Sequence, residues 1–136
     1  MRKENERGSA TIENVVWLPI ILMIMAAIVQ FGLYFNARNA VQTASYEATR
    51  RAIVADDPSS AASSAVYGFA KGAIPGWQQG GRVSYTLSAP GGYTPGQEIT
   101  VTVRYEVPMF MAGLIPNSSA LAAVSGRSTM RIDERP

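Results

Sequence analysis

Residues 15–35 read VVWLPIILMIMAAIVQFGLYF. These 21 positions carry no charge, and Gln30 is their one strongly polar side chain. At about 1.5 Å per residue, a helix of this length spans about 30 Å, the thickness of a bilayer core. A 136-residue chain is long enough for one ordinary domain. The core of such a domain does not normally need an uninterrupted apolar helix this long, so the run reads as a transmembrane segment and the buried core helix is the weaker reading. A cleaved secretory signal is a second alternative. Its apolar region is normally 7–15 residues and ends at an A-x-A-like site. Here the run is longer, and Asn36-Ala37-Arg38-Asn39-Ala40 continues as helix with no such site.

The flanks set the orientation. Arg2, Lys3 and Arg7 precede the run, which favours a cytoplasmic N-terminus and an exported C-terminal part. Arg38, Arg50 and Arg51 on the other side reduce the contrast.

Composition narrows the chemistry. Hydrophobic residues make up 47% and charged residues 16%, below the roughly 25% charge of an average soluble domain. There are 0 histidines and 0 cysteines. That removes Cys or His catalysis, a Ser–His–Asp triad, a disulfide framework, a Cys/His zinc site and a lipobox cysteine. The net charge of +2 is too small and too dispersed to argue for nucleic acid. Asp56, Asp57, Glu98, Asp133 and Glu134 do not follow a D-x-D-x-D-G loop. No cofactor or metal is expected, and an enzyme is the last reading.

Before the apolar run stands Arg7-Gly8-Ser9-Ala10-Thr11-Ile12-Glu13-Asn14. An ionised Glu13 beside a long apolar helix is costly unless it is paired or near the headgroups. A Glu in a first helical turn gains about 0.3–1 kcal/mol from the helix dipole. The dipole accounts for an acid near the boundary and says nothing of a glycine five residues earlier.

A short basic leader ending in Gly, a Glu at the fifth position after it and an apolar helix together resemble a type IV prepilin. The resemblance implies that a prepilin peptidase cuts between Gly8 and Ser9, and that Glu13 pairs with the new N-terminal amine of a neighbouring subunit. Two opposite charges that are each expensive in hydrocarbon become tolerable together. More narrowly, the segment is similar to the TadE-like family of Tad (Flp) pilus systems. The matching features are Gly8, Glu13, Leu18-Pro19, Phe31-Gly32 and the Ala/Arg-rich stretch from residue 48 to 51. Gln30 stands where an acid is common before the Phe-Gly pair, and Tyr46-Glu47-Ala48-Thr49-Arg50 replaces an Arg-x-Gly-Ala-Arg-like run.

The helical period continues past the membrane. Ala37, Ala40, Val41, Ala44, Ala48 and Ala52 form one stripe, with Arg38, Gln42, Ser45 and Thr49 read as lying away from it. The stripe packs either on the chain's own C-terminal sheet or on neighbouring subunits. Asp56-Asp57-Pro58 ends the helix, which predicts a rod from about residue 11 to 54, roughly 65 Å long. Pro19 removes one helix hydrogen bond. It is either a flexible kink that eases extraction from the bilayer or simply tolerated. Gln30 reads as solvated near the far interface, with a bond to another helix as the alternative.

In the C-terminal half, Ala62, Val66, Phe69 and Ile74 suggest a short helix. Period-two alternation in residues 82–88 and 99–107 signals strands. A third strand is read around Leu121, Ala123, Met130 and Ile132, with Gly126 as a bulge. The apolar connection 108–116 either folds over an open end of the core or forms a patch for another subunit or the membrane surface.

The expected fold is therefore α+β and type IV pilin-like: a long N-terminal helix, half transmembrane and half amphipathic, on a small antiparallel sheet of about three strands. The expected organisation is a cytoplasmic leader over 1–8, a transmembrane helix half over 9–35 and an extracytoplasmic head over 36–136. Within the head, the helix continues over 36–55, a short helix covers 59–74, and strands cover about 82–89, 98–107 and 120–133. The resemblance implies a minor pilin or pseudopilin, resident in the bacterial inner membrane and then in the pilus or at the cell surface. Its implied partners are the major Flp pilin and other minor pilins, the prepilin peptidase, the motor ATPase, the inner-membrane assembly platform and membrane lipid, with no nucleic acid. Two alternatives stay open: an uncleaved single-pass binding protein, and the main filament subunit.

Overall fold

The computed structural model describes residues 2–69, 74, 77, 81–110, 112–114 and 121–133, with 2–11, 114 and 121 described in backbone only. Helix α1 runs from Arg2 to Ala52, about 75 Å at the standard rise. It begins earlier than the sequence suggests. Residues 2–7, RKENER, are mostly strong helix formers, so the helix extends back through Gly8 and Ser9. It passes unbroken through Pro19.

After a short turn, α2 covers Pro58–Phe69. Its start is chemically explicit. The Asp57 carboxylate accepts hydrogen bonds from the Ser59 and Ser60 amides at 3.1 and 3.2 Å. Pro58 occupies the first helical position, where a missing N–H costs nothing. The short helix is described as far as Phe69. Phe69 is exposed, and Ile74 is buried but lies outside the helix; residues 70–73 are outside the described set.

Three strands, β1 (Val83–Ser88), β2 (Glu98–Pro108) and β3 (Leu121–Arg131), form an antiparallel sheet in the order β1-β2-β3. The chain is thus an α+β arrangement of one long helix on a three-stranded sheet. Ile99, Val101, Val103, Tyr105 and Val107 of the central strand face the helices and are buried. Opposite them in register on β3 stand Met130, Ser128, Gly126, Val124 and Ala122. Ser84, Thr86, Arg104, Ser125, Arg127 and Thr129 on the other face are exposed.

Two sequence expectations for the sheet change here. β3 pairs residue for residue with β2, with Val103 opposite Gly126 and no bulge. The glycine is required by packing instead: a Cβ there would lie 2.6 Å from the Val41 backbone of α1. The inward residues of β3 are also Ala122 and Val124, while Ala123 is exposed. β3 hides its phase because small and polar side chains occupy its buried face.

Trp77 closes the core beside α2. It is 1% exposed, stacks on Tyr105 with ring centroids 5.0 Å apart, and its indole N–H donates to the Val66 carbonyl at 2.9 Å.

Candidate functional site

The two halves of α1 have different surroundings. From Ala37 onward, the helix lies on the sheet with α2 beside it. Ala37, Val41, Ala44, Ala48 and Ala52 are buried in the core, and Ala40 is packed against it half-buried. Small side chains let the helix axis come close to β3, where Gly126 removes the last obstacle. Ser45 and Thr49 are also fully buried, although the sequence sets them off the stripe. Their hydroxyls find partners inside: Ser45 donates to the Gln42 carbonyl at 2.8 Å. Thr49 donates to the Ser45 carbonyl at 2.7 Å and lies 3.3 Å from the Ser128 carbonyl of β3. A hydroxyl that feeds its own helix can be buried without an orphaned donor.

The other half is bare. From Ile12 to Val29 only Ala26 and Ala27 are partly covered. Trp17, Leu18, Ile21, Leu22, Met23, Ile24, Met25 and Ile28 are all more than half exposed. α1 is the one helix among the described residues long and apolar enough to cross a membrane, and only 6% of its most apolar window is buried. A soluble core helix would be mostly covered. So large an exposed apolar surface requires lipid or other apolar helices around it.

Glu13 stands at the start of this bare surface, exposed and with no ion-pair partner among the described residues. Pro19 lies about a turn and a half further on, exposed, inside the helix. Gly8 and Ser9 precede Glu13 on the same continuous helix. The sequence-derived residues therefore divide by position along one rod. Glu13 and Pro19 lie on the uncovered half, Gly8 and Ser9 precede it on the same helix, and the alanine stripe is enclosed by the head.

Gln30 is the residue whose role the sequence does not reveal. It is 8% exposed and is bonded by both ends of its amide. Its Nε2 donates to the Pro108 carbonyl at 3.3 Å, and the Phe110 amide donates to its Oε1 at 3.2 Å. The solvated reading is corrected by this contact, which spans about 80 residues of chain and leaves no local trace.

At the far end of the head, Asp56 and Asp133 share an open cleft of about 550 Å³ with Ile53, Pro58 and Tyr93. Among the described residues no three acidic side chains come together closely enough to hold a metal ion.

Fold and site together define a class: an α+β head carried on a helix whose apolar N-terminal half fits a single-pass membrane anchor. Residues 8–50 match the family model of TadE-like protein, in agreement with the resemblance carried by Gly8, Glu13, Leu18-Pro19 and Phe31-Gly32. The match begins at the glycine of the junction and covers the bare half of α1 and most of its packed half; the sheet lies beyond it. No curated protein and no solved structure matches the chain.

Proposed function

We propose that this chain is a minor pilin or pseudopilin of a Tad (Flp) pilus system. It is trimmed between Gly8 and Ser9 by a prepilin peptidase and acts by packing against other pilin subunits during pilus assembly or at the tip. The observation that carries this reading is the uncovered half of α1, an apolar surface that starts at an acid with no ion-pair partner among the described residues. The family match over the same residues supports it.

Mechanistically, the inner membrane holds the subunit through residues 9–35, with the head outside the cytoplasm. Trimming creates an amine at Ser9. In hydrocarbon, Glu13 and that amine are each costly alone and tolerable as a pair. Pairing Glu13 with the amine of an adjacent subunit sets the axial register of packed helices. Pro19 leaves the Val15 carbonyl without its helix donor and supplies a bendable point during extraction from the bilayer. The enclosed stripe holds helix to head, so force on the head is carried by the rod. The head itself favours a minor role over that of the main fibre, whose subunits in Flp systems have hardly any head. The motor ATPase, the inner-membrane platform and the major Flp pilin are the partners this role requires, and no step involves bond chemistry by the chain.

Glu13→Ala tests the register role. The variant inserts into the membrane but supports few pili in its host. Pilus numbers equal to wild type with this variant remove that role.

A further inference from the structure

The contact between Gln30 and the β2–β3 connection lies where the bare half of α1 meets the head. Gln30 stands five residues before the end of the apolar run, about 7 Å inside it at the helical rise. The connection therefore reaches back along α1 to a level still lined by lipid-type side chains. At its turn, Phe110 is 55% exposed and Met109 is half-buried. A shallow apolar groove of about 220 Å³ opens beside it between Leu33, Ile74, Val107 and Pro108.

Irregular backbone is tolerated at membrane depth only when its polar groups find partners within the protein. Gln30 supplies partners for two backbone groups of this turn, accepting from the Phe110 N–H and donating an amide N–H to the Pro108 carbonyl, and the Met109 carbonyl accepts from the Ala112 amide at 3.2 Å. A carboxamide can do both; a carboxylate at position 30 would have nothing to donate to Pro108. Pro108 lines one apolar groove with Leu33 of α1, the exposed Phe110 ring follows it, and Gln30 ties both to the level where the bare apolar half of α1 ends.

We propose that the turn formed by Pro108, Met109 and Phe110 is a lipid-seating foot. Phe110 and Met109 enter the boundary between headgroups and acyl chains of the bilayer that α1 crosses, and Gln30 fixes the depth. The head is thereby held at one height above the membrane. The proposal rests on α1 spanning the bilayer and is independent of trimming after Gly8.

The test uses the full chain, which has no cysteine of its own. Phe110→Cys is labelled with an environment-sensitive fluorophore and reconstituted into phosphatidylethanolamine/phosphatidylglycerol vesicles containing lipid spin-labelled high on the acyl chain. Tyr93→Cys is the reference. Tyr93 is 53% exposed and shares the cleft with Ala52 at the other end of the packed helix. The foot predicts a blue-shifted label at position 110 that loses most of its emission to spin-labelled lipid, while the label at position 93 emits as in water and is not quenched. Adding Gln30→Ala returns the 110 label towards the behaviour of position 93. Gln30→Glu, which keeps only the acceptor, falls between. A water-like 110 label in vesicles whose protein resists carbonate extraction overturns the foot and leaves the spanning reading intact. So does a blue shift that needs crowded protein and shows no lipid quenching, which assigns the surface to a second copy. Extraction of the protein by carbonate removes the spanning reading and the foot with it.

Discussion

Gly126 of β3 lies against the backbone of Val41 in α1 so closely that a methyl group on it would meet the Val41 carbonyl carbon and oxygen at 2.6 Å and the Gln42 Cα at 2.7 Å. All three atoms are backbone, so no side chain can swing away to make room. This contact joins the rod to the head halfway along the edge strand β3, with Val103 of the central strand directly beside Gly126.

Gly126→Ala therefore separates helix from sheet. Overpacking of this kind costs about 1–3 kcal/mol. Thermal or denaturant unfolding of the purified chain in detergent should show a clearly lowered midpoint. Gly32→Ala is the matched control, since nothing lies within 4 Å of a Cβ at that site and alanine is the better helix former. Equal midpoints for Gly126→Ala and wild type would mean that the two elements are not in contact there.

Asp57 holds the first turn of α2 through the Ser59 and Ser60 amides. Asp57→Ala should lower the head's stability by about 0.5–2 kcal/mol, and Asp57→Asn by little, because asparagine caps nearly as well. A chemical-denaturation series on the three proteins reads this directly. Identical curves for wild type and Asp57→Ala contradict the cap.

Gly8→Arg should block trimming. In its host the variant would then persist as a precursor heavier than the mature chain by residues 1–8, separable on a gel. A variant that matures normally removes the assigned cleavage point.

The fold was legible where its causes are local. The unbroken apolar run, the i, i+3, i+4 stripe beyond it and the Asp-Pro stop describe one long helix. The alternation around Val83–Leu87 and Ile99–Val107 describes strands with one dry face. What escaped was set by contacts distant in sequence. Gln30 looks like a solvated residue because its partners, Pro108 and Phe110, lie about 80 positions away. Gly126 looks like a bulge because the helix that demands a hydrogen there comes 85 residues earlier. Ser45 and Thr49 look like surface residues because hydroxyl type does not show whether the donor turns back onto its own helix. Of the candidate site, Glu13 and the bare apolar face stand out because charge and its absence are visible in one dimension. The Gln30 clasp is not, because a polar side chain inside an apolar run shows no partner until the fold brings one to it.

In the proposed role, the free amine opposite Glu13 is made after translation, by a cut behind Gly8. Intact-mass measurement of the native chain recovered from assembled pili of its own host reads this most directly. The expected polypeptide starts at Ser9. A chain that still starts at Met1 within functional pili contradicts it.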